Sequence, residues 1–121
     1  MLTLADVFEA LINTPTQAEH VITEASIDSR QAIPGSLFVA IPGEKVDGHD
    51  FLEAAFQRGA SYALIQRDVD ASHRVLDLRG SQPVDLSVNL EPPLCLRVDN
   101  SLSALQQIAR FRRRKLDLTV I

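Results

Sequence analysis

Ile27-Asp28-Ser29-Arg30-Gln31-Ala32-Ile33-Pro34-Gly35-Ser36-Leu37-Phe38-Val39-Ala40-Ile41-Pro42-Gly43-Glu44-Lys45-Val46-Asp47-Gly48-His49-Asp50-Phe51 is the stretch from which the rest of the chain can be read. Ser36–Ile41 is apolar at both alternating positions, the pattern of a strand buried on both faces. Polar segments flank it. Asp28-Ser29-Arg30 offers an acceptor, a hydroxyl and a guanidinium in three residues, and Pro42 to Gly48 is a loop with two glycines that leads into a helix start near His49-Asp50. Two polar loops on either side of one buried strand can converge on a small ligand. Gly43 and Gly48 would let backbone N–H groups approach it closely. Arg30, a planar fork, and Lys45, a point charge, are suited to an anion. The residues by themselves therefore point to an anion or nucleotide-sugar site.

Outward from this stretch the chain continues in regular units. Phe51, Leu52, Ala55 and Phe56 form one face of a helix from about Asp50 to Arg58, and Gly59 sits where a left-handed cap belongs. Ser61–Ile65 reads as a second strand. Strand, glycine loop, helix and strand in this order predict a βαβ unit with a parallel pair. Upstream, Thr3 and Asp6 make a capping pair ahead of the stripe Leu4, Val7, Phe8 and Leu11, and Asn13-Thr14-Pro15 ends that helix. Val21–Ile27 reads as one strand running into the Asp28-Ser29-Arg30 turn. Pro34-Gly35 marks a turn before the buried strand.

From Gln66 to Pro93 the apolar pattern weakens among scattered acidic residues, glycine and prolines. We expect a surface excursion there, with a hairpin of His73–Leu78 against Val84–Val88 turning at Arg79-Gly80-Ser81, whose shortening leaves the fold intact. Leu94–Val98 is a further strand. Ser101 is expected to cap a helix carrying Leu102, Leu105, Ile108, Ala109 and Phe111 on its apolar side. Its last turn holds Arg110, Arg112, Arg113, Arg114 and Lys115, which complement the negative end of the helix dipole. Leu116–Ile121 reads as the opening of another strand.

The pattern D-S-R-x-x-x-P-G-S-L-F-V-A-x-x-G-x-x-x-D-G-H-D-F from Asp28, with A-x-x-x-G-A at Ala55 to Ala60, resembles the N-terminal domain of the Mur ligases. These are ATP-dependent enzymes that add amino acids to the UDP-linked peptidoglycan precursor. The likeness is close to the members that add the third peptide residue or the D-alanyl-D-alanine dipeptide. V-D-N-S-L-x-A-L-Q-x-I-A, from Val98, leans toward the latter. Gln66–Pro93 lies outside the resemblance.

The resemblance implies an α/β fold, a mixed sheet with helices packed on it. It implies that the uracil of UDP-N-acetylmuramoyl-tripeptide is held, largely by backbone groups, at Ile27 and at Glu44, Lys45 and Val46. It implies too that the Ser29 hydroxyl reaches toward the diphosphate. With Arg30 and Asp47, these form the expected UDP site.

It also implies a substrate-binding domain over residues 1–98, a connecting helix over 99–115, and in 116–121 the first strand of an ATPase domain cut off before its phosphate loop. No G-x-x-x-x-G-K-[ST] occurs in these residues. ATP and magnesium are then cofactors of a parent enzyme whose central ATPase and C-terminal domains are partners of this one, and no cofactor, metal or catalytic residue is expected here. In the parent, ATP would activate the peptide carboxylate as an acyl phosphate, which the incoming amine then displaces. A stand-alone nucleotide-sugar-binding module is the reading from another class.

Other chemistry is weaker. His20, His49 and His73 share no zinc-ligand spacing with one another or with Cys95. Cys95, in an apolar strand, reads as a small buried hydrophobe, and a lone cysteine fits a cytoplasmic setting. His49 next to Asp47 reads as a hydrogen bond at a helix start, and Asp28 as the lock of its own turn or a partner for Arg30. With 12 basic against 16 acidic residues, the net charge of −4 disfavours nucleic acid as a partner. No apolar run approaches the roughly 20 residues of a membrane span.

Overall fold

The computed structural model describes residues 2–80 and 84–119. Its centre is a five-stranded parallel sheet. In chain order the strands are β3 (Ala25–Ser26), β4 (Leu37–Val39), β5 (Tyr62–Ile65), β6 (Val75–Asp77) and β7 (Leu94–Arg97), arranged β3-β4-β5-β7-β6. A separate antiparallel pair joins β1 (Leu2–Thr3) to β2 (Val21–Ile22), so parallel and antiparallel pairing are both present. Helix α1 (Leu4–Ile12) and the long α3 (Ser101–Thr119) lie against one face of the large sheet, and α2 (Leu52–Gln57) covers the other.

Strand alternation builds the two cores. Leu37, Val39, Tyr62, Leu64, Leu94 and Leu96 face Val7, Phe8, Ala104 and Ile108 of α1 and α3. Phe38, Ala40, Ala63, Ile65 and Cys95 face Leu52 and Ala55 of α2. The double burial expected of Ser36–Ile41 follows: Ser36 to Ala40 are all buried, and Ile41 is half-buried. A parallel strand with helices on both sides has no wet face, so both sets of alternating residues must be apolar.

The local signals at the first helix are realised. Asp6 N–H donates to Thr3 Oγ1 at 3.2 Å, and Thr3 N–H donates to Asp6 Oδ2 at 3.1 Å. Asn13, left-handed at φ 50°, closes the helix by donating to Glu9 O. Gly59 also takes a left-handed φ, +105°, and a Cβ there would stand 2.9 Å from Pro34 Cα. The α2 region starts with a 3-10 turn over Gly48–Phe51, so the regular helix is shorter than the sequence predicts.

Several expectations are corrected. Val21–Ile27 is two strands in two sheets, not one. β2 pairs with β1, β3 pairs with β4, and Thr23 breaks the run by donating to Gly35 O through its N–H and to Pro34 O through its hydroxyl. The expected hairpin does not form. Val84–Val88 contains no strand, and β6 instead runs parallel to β7 as an edge of the large sheet; Ser81, part of the predicted turn, lies outside the described residues. The free edge of β7 offers a complete ladder, and Leu76 and Leu78 reach the core from it. Val84, Leu86 and Leu90 pack on the same core, and Tyr62 Oη donates to Leu90 O at 2.8 Å. Within Gln66–Pro93, β6 is thus part of the sheet and Leu78, Val84, Leu86 and Leu90 part of its core, which is more than a surface excursion.

Helix α3 is capped by Asn100, whose Oδ1 accepts from Ser103 N–H at 2.8 Å. Ser101 is the first helical residue. Its N–H goes to Gln66 Oε1 at 2.9 Å, so it is not the cap. The buried face is Ser101, Ala104 and Ile108, with Leu105 and Phe111 half-buried, whereas Leu102 and Ala109 are exposed. The helix runs on through Thr119, over Leu116–Thr119, which the sequence reads as strand, and Val120 and Ile121 lie outside the described residues. A strand needs a neighbour to pair with, whereas a helix closes its hydrogen bonds within itself. The basic run Arg110–Lys115 is consequently mid-helix and not its last turn.

Candidate functional site

At the carboxyl ends of β3 and β4 the two loops singled out in the sequence meet around a cleft of about 530 Å³. Crevices beyond the carboxyl ends of parallel strands are the usual ligand positions in open α/β sheets. Ile27, Asp28, Ser29 and Arg30 form one side and Val46, Gly48 and Phe51 the other, with Phe38 and Ile41 also lining it. Ile27 is 60% exposed, Val46 59% and Phe51 40%. Three large apolar side chains thus stand in solvent around one opening, a combination that marks a binding surface better than any of them singly.

The first loop is built by its own short polar residues. Asp28 N–H donates to Ser26 Oγ at 3.1 Å, and Ser26 Oγ donates to Asp28 O at 3.0 Å. Asp28 Oδ1 then accepts from Arg30 N–H at 2.9 Å and from Arg30 Nε at 3.1 Å, and Oδ2 accepts from Nη2 at 2.9 Å. These hydrogen bonds from Arg30 hold the Asp28 carboxyl below its usual range. Arg30 is thus committed through Nε and Nη2 to its neighbour, which modifies the reading of it as a fork for an anion. Ser29 is buried at the cleft lining.

In the second loop the glycines serve the chain itself. A Cβ on Gly48 would stand 2.7 Å from Ile41 N, and one on Gly43 2.4 Å from Val46 O. Gly48 N–H donates to Ile41 O at 2.9 Å, closing the loop onto the end of β4. The backbone contacts these glycines permit are therefore within the loop. Glu44 and Lys45 are exposed and lie outside the cleft lining.

Asp47, also predicted for the site, lies outside the cleft lining. Its Oδ1 accepts from His49 N–H at 2.9 Å and lies 2.7 Å from His49 Nδ1, and its Oδ2 accepts from Arg67 Nε at 2.8 Å. Burial pushes the Asp47 carboxyl up, but the hydrogen bonds from His49 and Arg67 outweigh it and bring the group down to about 2. Arg67 also reaches Asp50 at 3.1 Å.

Of the residues expected at the site, Ile27, Ser29, Arg30 and Val46 come together at the cleft. Phe38, Ile41 and Phe51 join them unforeseen, as does Arg67 behind the cleft, whereas the hydrogen bond expected between His49 and Asp47 at the helix start is present. An exposed aromatic directly after the Asp-Gly-His-Asp turn was the available signal for Phe51. Arg67, far along the chain from Asp47, left none. Among the described residues no group of three or more His, Cys, Asp or Glu side chains is placed to hold a metal ion, and no helix is long and apolar enough to cross a membrane. A second cavity of about 360 Å³, between α1, the end of β6 and the start of α3, holds none of the predicted site residues.

Comparison with known proteins gives four findings that agree on the family. A family profile described as "Mur ligase family, catalytic domain" matches residues 21–113. The chain is 30% identical over 118 residues to the UDP-N-acetylmuramoyl-tripeptide–D-alanyl-D-alanine ligase of Bacillus subtilis, covering 98% of this chain and 22% of that protein. It is 42% identical over 72 residues to the UDP-N-acetylmuramoyl-L-alanyl-D-glutamate–2,6-diaminopimelate ligase of Bacillus licheniformis, covering 57% of this chain and 15% of that protein. Among solved structures, MurF from Acinetobacter baumannii superposes with a TM-score of 0.58 at 24% identity, over 93% of this chain and 21% of that one. The chain thus spans about a fifth or less of the length of these relatives.

Proposed function

This chain belongs to the Mur ligase family, and on that premise we propose that its cleft holds the UDP end of a UDP-N-acetylmuramoyl-peptide for a ligase of peptidoglycan biosynthesis. The observation that carries the reading is the meeting of Ile27–Arg30 with Val46–Gly48 around one apolar-walled opening. Ile27, Val46 and Phe51 suit the faces of a planar base, and backbone N–H and C=O groups along the loops suit its polar edge. Ser29 offers a hydroxyl toward a diphosphate, and Lys45 a charge. Glu44 and Asp47 then contribute through backbone position, since Asp47 spends its carboxylate on His49 and Arg67.

In this reading residues 1–98 are the substrate-binding domain and 99–115 the connection to the rest of a parent enzyme. ATP and magnesium act in the parent's other domains, where ATP supplies the activation of a carboxylate. The part described here contributes affinity and placement, which is how binding energy far from the reacting atoms assists a reaction. A cytoplasmic setting goes with a nucleotide-linked substrate.

The tripeptide substrate and D-alanyl-D-alanine addition are supported by the relative matched along nearly the whole chain. Addition of the third residue is favoured by the higher identity of the diaminopimelate ligase over its shorter match.

The test is an NMR titration of the labelled chain with UDP and with ADP. UDP should shift the amides of Ile27–Arg30 and Glu44–Gly48, with a Kd in the high micromolar to millimolar range, roughly −4 to −6 kcal/mol. ADP should leave them unmoved. Ser29→Ala should weaken UDP by about 1 kcal/mol. Shifts confined to Arg110–Lys115 would place the anion site on α3 and overturn the reading.

A further inference from the structure

The Val46–Gly48 side of the cleft is a loop with no sheet ladder of its own, exposed from Pro42 to Val46. What fixes it lies behind it. His49 sits on this polar loop, yet its side chain is fully buried. Both ring nitrogens are used. Nε2 accepts from the backbone N–H of Gln66 at 3.0 Å, and Nδ1 lies 2.7 Å from Asp47 Oδ1. An accepting Nε2 places the proton on Nδ1, which donates to Asp47. Gln66 directly follows β5, and its Oε1 also receives Ser101 N–H from the first turn of α3. The imidazole is thus a spacer of fixed length between the cleft loop and the end of the central strand. An apolar side chain could fill the same space but would make neither bond, and of the contacts that tie this loop to the end of β5 the imidazole is the buried one, the Arg67 bonds to Asp47 and Asp50 being at the surface.

We propose that His49 is the positioning residue of the cleft: it sets where Val46 stands relative to Ile27, and so governs affinity for the nucleotide end of the ligand without touching it. The proposal rests on the uridine-nucleotide reading of the cleft. It gives a reason for a buried imidazole at a place where core packing would need only an apolar residue. Burial of an imidazole is unfavourable unless its nitrogens are satisfied, and here they are satisfied by two different elements.

The test combines amide hydrogen exchange with UDP titration on the whole chain. In His49→Asn, which keeps a donor toward Asp47 but does not reach Gln66, the amides of Gln66 and of Val46–Gly48 should lose protection. Those of Val39, Leu64 and Leu96 in the sheet should keep theirs, and the Kd for UDP should rise about tenfold. His49→Gln, whose amide oxygen reaches farther, should recover part of both. Unchanged loop protection and UDP affinity in His49→Asn would overturn the proposal. So would a uniform loss of protection that His49→Gln does not relieve, since that is the signature of a core residue and nothing more. If neither variant folds, Gln66→Pro, compared with Gln66→Ala, which already loses the Oε1 that Ser101 N–H meets, removes the N–H that Nε2 accepts while leaving His49 in place. It must loosen Val46–Gly48 in the same way, and wild-type protection there overturns the proposal. A wild-type chain that fails to bind UDP defeats the ligand reading, whereas the positioning of the loop stands or falls on the exchange data.

Discussion

Asp28-Ser29-Arg30 has a twin. Asp77 Oδ1 accepts from Arg79 N–H at 2.9 Å and from Nε at 2.9 Å, and Oδ2 accepts from Nη2 at 2.8 Å. These are the same bonds, made at the end of β6, the opposite edge strand of the sheet. Asp-x-Arg is therefore first a way of turning the chain at the end of an edge strand. What differs at the cleft is the middle residue, a serine in place of the core residue Leu78. Asp47 carries a prediction about acid. Its folded carboxyl is depressed to about 2 from 3.8, so its contribution is fully present above about pH 4 and is lost as pH falls toward 2. Asp77, lowered to about 2 by its bonds from Arg79, titrates in the same window. Asp47→Asn should cost about 1–3 kcal/mol at neutral pH and flatten the loss of stability between pH 4 and 2 in urea titrations. Cys95 gives a second test. Burial pushes its thiol up to about 12, so an alkylating agent at pH 8 should modify it only after denaturation. Rapid labelling of the native chain would contradict its placement on β7 beneath α2.

At the scale of elements, the segment after β5 shows how far a weak apolar pattern can mislead. Val75 and Asp77 are exposed, as edge-strand residues often are, yet Leu78 is buried and Val84, Leu86 and Leu90 pack on the α1–α3 side of the sheet. Arg74 Nη1 donates to Glu91 O at 2.9 Å, and Arg74 Nη2 also bonds Asn89 O, tying the start of the segment to its end. Deleting Ser72 to Val88 should therefore lower the melting temperature sharply or abolish cooperative unfolding. It removes a strand and exposes one edge of β7 together with apolar surface, at about 25 cal/mol per Å². Circular dichroism melts of the deleted and complete chains decide it, and an unchanged midpoint would restore the detachable reading. Packing also explains the helix assignments: α3 is held to the sheet by Ala104 and Ile108, near its start, while Arg112–Arg114 are exposed.

For the molecule as a whole, the carboxyl edge of one parallel sheet organises what the sequence scatters. The ends of β3 and β4 frame the cleft, the end of β5 anchors the loop that walls it, and the same residue, Gln66, meets the first turn of α3. A chain with the binding role proposed above should not process ATP by itself. Purified chain with ATP and magnesium should release phosphate at the rate of buffer alone, and a rate above that background that survives repurification would contradict the division of labour proposed here.

By itself the sequence determined what depends on neighbours along the chain. The capping pair Thr3 and Asp6, the double burial around Leu37–Val39, the left-handed Gly59, the parallel β4–α2–β5 unit and the two loops at the cleft are all local patterns, and each is present. Family membership was legible for the same reason, since its pattern lies in one continuous stretch. Tertiary structure alone decided which strand edges pair. Residues 21–27 divide between two sheets because β1 and β4 each offer an edge, and β6 aligns with β7 because that edge was free. It also decided that Asp47 meets Arg67, twenty positions along the chain, and that Phe51 and Val46 share an opening with Ile27. Periodicity and capping are energies of a few adjacent residues, whereas strand pairing, ion pairs and clefts join groups tens of positions apart, whose encounter depends on every element between them.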